Sequence, residues 1–141
     1  VTIQDQILAL LMDLQEATGT TLILVSHDMA VVAETCDRVA VMYAGRIMEL
    51  APTADIFARY RHPYSLGLLR SIPRIDGKDR RLEPIPGQPP SLSSLPPGCP
   101  FMPRCSFASP ACGTAEIVLR ELAKDHFSAC IKAEDIAGMA S

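Results

Sequence analysis

Between residues 81 and 100 the chain carries Pro84, Pro86, Pro89, Pro90, Pro96, Pro97 and Pro100, with Gly87 and Gly98 among them. Proline fixes φ and removes a backbone donor, so neither a helix nor a central strand can run through such a stretch. The segment is expected to be extended, as polyproline II and turns. Whatever the chain packs as regular structure must therefore lie before it, or after it as a separate small unit. This gives three expected parts: residues 1–74, a linker over 75–98, and an extension over 99–141.

Residues 1–74 alternate helix and strand signals. Thr2 and Asp5 stand three apart, a capping box whose hydroxyl and carboxylate satisfy free N–H groups of a first turn. Ile3, Ile7, Leu10, Leu11 and Leu14 then recur at helical spacing, and Gly19 is a natural stop. Thr21–Ser26 is continuously apolar after its threonines, which predicts a strand buried on both faces of a parallel sheet. A short helix is expected over Asp28–Cys36, with Met29, Val32 and Cys36 on its apolar side. Arg38–Tyr43 and Arg46–Leu50 flank Ala44-Gly45 as a tight hairpin. Thr53 is a candidate cap for a helix through Tyr60, and Pro63 opens another that Pro73 closes.

The bulk numbers exclude several classes. A net charge of −3 over 141 residues offers no basic stripe for nucleic acid. No apolar run approaches the roughly 18 residues that a membrane span needs. No positively charged leader precedes an apolar stretch. A soluble cytoplasmic protein without direct membrane insertion is expected, attached to a membrane only through another protein.

Two sets of residues carry possible chemistry. His27 follows the predicted strand and opens the next helix, where open α/β sheets place ligands. Cys99, Cys105, Cys112 and Cys130 follow the pattern C-x5-C-x6-C-x17-C. Four soft thiolates suit zinc or an iron–sulfur cluster, and the spacing alone leaves both open, together with free thiols or disulfides. His126 is a possible additional zinc ligand, although a surface position suits it better. Cys36 reads as a small buried apolar residue.

The run "TLILVSHDMAVVAETCDRVAVMYAGRIMELA" resembles the C-terminal half of an ABC-transporter ATPase domain. "PTADIFARYRHPYSLGLLRSIPR", with His62-Pro63-Tyr64, and "PGQPPSLSSLPPGCPFMPRC" are similar to the tail of the ATP-binding subunits of bacterial oligopeptide and dipeptide importers. The resemblance implies an α/β fold: the C-terminal part of a RecA-like P-loop NTPase domain, then a Pro-rich and Cys-rich irregular extension. It implies that His27 is the switch histidine that contacts the ATP γ-phosphate and positions the attacking water. It also implies a [4Fe–4S] cluster on Cys99, Cys105, Cys112 and Cys130, with zinc as the alternative and Arg104 offsetting cluster charge. His62-Pro63-Tyr64 is expected to serve packing and helix initiation, without chemistry.

By the same resemblance the complete subunit binds MgATP, pairs with a second ATPase subunit and drives transmembrane permease subunits from the inner membrane face. The solute is a dipeptide, a longer peptide or nickel. No G-x-x-x-x-G-K-[ST] loop occurs in the 141 residues, and Gly77-Lys78 lacks its partners, so these residues alone are expected neither to bind ATP tightly nor to hydrolyse it. The competing expectation is a stand-alone four-cysteine metal-binding module without nucleotide chemistry.

Overall fold

The computed structural model describes residues 1–73, 82–137 and 139. The expected boundary at 74–75 and Gly77-Lys78 lie outside these residues. Helix α1 spans Ile3–Thr18, with the Thr2/Asp5 capping box formed and Gly19 as a left-handed C-cap at φ 68°. It buries none of its residues: Ile3, Ile7, Leu10 and Leu14 are all exposed.

The expected strand over Thr21–Ser26 is not formed. Ile23 and Val25 are 86% and 94% exposed. A strand exists only where neighbours take up its N–H and C=O groups, and no described segment lies alongside to do so. The apolar composition is present and the pairing is not.

Helix α2 spans Met29–Thr35, and the Asp28 carboxylate caps it by accepting from the N–H groups of Ala30 and Val31. Strands β1 (Arg38–Tyr43) and β2 (Arg46–Pro52) form the expected hairpin. Ala44 and Gly45 both have positive φ, 50° and 76°, as a two-residue turn of the type favoured by strand twist requires. A bulge opposite Val41 and Met42 sets Met48 inward, where it is wholly buried.

Helices α3 (Thr53–Arg59) and α4 (Pro63–Arg70) follow. Thr53 is not the cap of α3. It is the first helical residue, and its hydroxyl donates to the Cys36 carbonyl, tying α3 to the end of α2.

Beyond the proline segment the chain makes 3-10 turns at Met102–Arg104 and Pro110–Gly113, strands β3 (Arg120–Ala123) and β4 (His126–Ser128), and helix α5 (Ala133–Ala137). The sheet order is β1-β2-β4-β3, antiparallel throughout. Glu49 and Leu50 of β2 pair with Ser128 and Phe127 of β4. One sheet thus contains strands from both sides of the proline segment.

Two small cores flank β2. One gathers Val41, Ala51 and Ile56; the other gathers Tyr43, Met48 and Phe101. In the second, Tyr43 meets Tyr64 edge-on at 4.7 Å between centroids and Phe101 at 5.2 Å, so strand, helix and extension share one aromatic cluster.

Candidate functional site

Helix α4 begins at the His-Pro-Tyr triplet for a physical reason. Pro63 takes the first helical position, where no N–H is needed. His62 is the N-cap, its Nδ1 accepting from the Tyr64 N–H at 3.0 Å. The neutral ring then carries its proton on Nε2, which is buried and has no hydrogen-bond partner. Burial lowers the His62 pKa to about 4, so the ring stays neutral at ordinary pH. The triplet serves packing as expected, but His62 also forms one wall of a cavity, a role that sequence reasoning did not assign.

That cavity, of about 20 Å³, is lined by Cys99, Cys105, Cys112 and Cys130 together with His62 and Phe101. All four cysteines thus line one cavity. Gly98, at φ 72°, allows it: a Cβ there would lie 2.3 Å from the Cys112 carbonyl oxygen. The Cys99 N–H donates to that same carbonyl at 2.8 Å.

The expected [4Fe–4S] cluster and its zinc alternative are nevertheless corrected here. Among the described residues no group of three or more His, Cys, Asp or Glu side chains is disposed to hold a metal ion. All five cysteines are free. Burial pushes up the pKa of Cys99 and Cys105, and raises that of Cys130 to about 11.

Arg104 does not serve the sulfurs either. Its guanidinium donates to the Pro86 carbonyl at 2.8 Å, the Tyr43 hydroxyl at 3.3 Å and the Ile85 carbonyl at 3.4 Å, stitching the proline segment to β1.

His126 is neither a zinc ligand nor a surface residue. It is 2% exposed, and its Nε2 lies 2.6 Å from Oε1 of Glu49, which is itself fully buried. Glu49 accepts from the Arg61 N–H at 2.6 Å and from the Ser65 hydroxyl. Burial is the dominant influence on this carboxyl and raises its pKa despite those donors. Glu49 was missed because a glutamate in a strand reads as a solvent-facing residue until its partner, 77 positions away, is known.

His27 stands apart from both clusters. It is exposed in the bend between the 20–26 segment and α2, where the Asp28 N–H donates to the Ser26 hydroxyl at 3.0 Å. Cys36, half-buried at the end of α2, does not line the cavity. No helix among the described residues is long and apolar enough to cross a membrane.

Residues 48–112 match the family described as oligopeptide/dipeptide transporter, C-terminal region. The chain is 49% identical over 139 residues to the oligopeptide transport ATP-binding protein OppD of Mycobacterium tuberculosis, covering 98% of this chain and 23% of that protein. It is 51% identical over 115 residues to the protein of the same name from Haemophilus influenzae, covering 82% and 36%. For that of Escherichia coli the identity is 46% over 132 residues, covering 94% and 39%. The chain spans well under half the length of each of these relatives. Tyr64 and Phe101 of the aromatic cluster, the capped α4, and Gly98 with Cys112 all fall inside the matched region, and residues 48–112 carry the C-terminal region that describes the oligopeptide/dipeptide transporter family.

Proposed function

We propose that this chain is the C-terminal part of the ATP-binding subunit of a peptide importer. In this reading residues 1–74 complete a RecA-like ATPase domain, and residues 99–141 form a Cys-rich extension that braces it across the 75–98 linker. The relatives named as ATP-binding proteins share 46–51% identity with it along most of its length, and this carries the reading.

The position of His27 supports it. An exposed imidazole at the end of an apolar segment and the start of a capped helix is free to donate to a phosphate oxygen, and phosphoryl transfer is catalysed mostly by such positioning. The exposed apolar row of α1 and the side chains of Ile23 and Val25 supply the surface that further layers of such a domain would cover. Permease subunits in the membrane and a second ATPase subunit are the partners, and peptides are the solute. A stand-alone metal-binding module is disfavoured, because the relatives' similarity runs through both halves and no described group is disposed to hold a metal.

The test is His27→Ala in the complete subunit, assembled with its permease in proteoliposomes. ATP hydrolysis and peptide uptake should fall together by about a hundredfold or more, in line with losing one group that stabilises the transition state, while nucleotide binding persists. Unchanged hydrolysis would overturn the role of His27. Failure of the intact assembly to take up any peptide would overturn the importer reading itself.

A further inference from the structure

His27 is exposed, yet the backbone that carries it is held on both sides. Before it, the Ser26 hydroxyl accepts from the Asp28 N–H at 3.0 Å, closing a turn of three residues with His27 at its centre. After it, Asp28 Oδ1 accepts from the Ala30 N–H at 2.9 Å and the Val31 N–H at 3.3 Å, which sets where α2 begins. Neither side chain makes another hydrogen bond among the described residues.

The helix they lead into is itself anchored. Val32 is buried, and Met29, its first residue, packs against the core of Val41, Ala51 and Ile56. At the far end the Thr53 hydroxyl donates to the Cys36 carbonyl, and the Thr53 N–H donates to the Asp37 carbonyl at 3.0 Å. A seven-residue helix fastened at one face and at its tail has little freedom to swing. With its start set by Asp28, the backbone at His27 is fixed relative to the core.

We propose that Ser26 and Asp28 are positioning residues for His27, holding its imidazole where it meets a phosphate oxygen of the nucleotide. The inference rests on the reading of His27 given above and adds what fixes the ring. A group on a free loop must be ordered at every turnover, and a misplacement of about 1 Å can cost about a hundredfold in rate. Here three short-range hydrogen bonds impose that order before any ligand arrives. The negative charge of Asp28 has no part in the role, because a carboxylate repels a polyphosphate. Its acceptor geometry is what counts, and a neutral acceptor of the same shape serves as well.

The experiment places Asp28→Ala, Asp28→Asn, Ser26→Ala, His27→Ala and the double variant Asp28→Ala/His27→Ala in the complete subunit, assembled with its permease in proteoliposomes. ATP hydrolysis is measured against ATP concentration. Asp28→Ala should lower kcat about tenfold while KM for ATP stays within about twofold. Asp28→Asn, which caps a helix equally well, should return kcat to within about twofold of the unsubstituted protein. Ser26→Ala should lose less than Asp28→Ala, since it removes one hydrogen bond where the other removes two. In the double variant the aspartate's loss should add no more than about a further twofold to that of His27→Ala, because no ring is left to position. A merely structural loss would multiply instead. The proposal is overturned if Asp28→Ala leaves kcat unchanged while His27→Ala lowers it, if Asp28→Asn fails as Asp28→Ala does, or if the two losses multiply. Should Asp28→Ala not fold, Ser26→Ala alone and combined with His27→Ala closes the same cycle. Normal hydrolysis by His27→Ala would overturn the reading of His27 itself, an outcome seen in that single variant and so distinct from the others.

Discussion

His62 combines two demands that pull on one ring. Its Nδ1 must stay unprotonated to accept from the Tyr64 N–H, and its surroundings exclude water. Because burial lowers its pKa from 6.5 to about 4, the unfolded chain takes up a proton that the folded chain refuses as pH falls through that interval. The unfolded state then binds more protons, so stability declines from near pH 7 down to pH 4, by about 3 kcal/mol in all at about 1.36 kcal/mol per pH unit. Glu49 acts in the opposite sense, since its raised pKa keeps a proton on the folded state above the unfolded value of 4.5. The two are separable by substitution. His62→Asn keeps a side-chain acceptor at the N-cap and should flatten the loss of stability between pH 6.5 and 4, read from urea midpoints at a series of pH values. The triplet's helix-starting proline was legible in the sequence, because that rule is local. The burial of His62 was not, because a residue far along the chain, Phe101, brings its ring to 6.0 Å from that of His62.

The same division between local and distant causes separates the elements that matched expectation from the one that did not. The hairpin turn at Ala44-Gly45 and the Thr2/Asp5 capping box depend on residues within four positions of each other, and each formed as read, while Asp28, expected inside its helix, is instead the N-cap. Thr21–Ser26 shows what composition cannot provide. Its side chains suit a buried strand, yet a strand is a relation between segments. The prediction at this scale follows directly. In the 141-residue chain Val25→Asp should change the thermal midpoint little, within about 0.5 kcal/mol of stability, because the side chain is 94% exposed. In the complete subunit proposed above, the same substitution would bury a carboxylate in a sheet and should cost several kcal/mol. Melting both proteins by circular dichroism makes the comparison; a large loss in the short chain would show that the segment is already packed.

At the scale of the whole molecule, the sequence divided into two regions that the structure rejoins. The proline segment does interrupt regular structure, but Arg104 fastens it to Tyr43, and β2 lies between strands from either side of it. Glu49 is the polar centre of that junction, accepting from Arg61 and Ser65 on one side and meeting His126 on the other. Glu49→Leu would leave the Arg61 N–H, the Ser65 hydroxyl and the His126 ring buried without their partner, for a loss on the order of 3–5 kcal/mol. Denaturant titration should show this as a lower midpoint, with the two sides of the sheet still melting together.

The order β1-β2-β4-β3 has a mechanical meaning. Because β2 bonds to both the hairpin and the cysteine-bearing tail, a tilt or twist applied to α3 and α4 is delivered to β4 and α5 without a hinge in between. The tail would ride on the hairpin as a handle rides on a blade, reporting at its far end any displacement made at the near one.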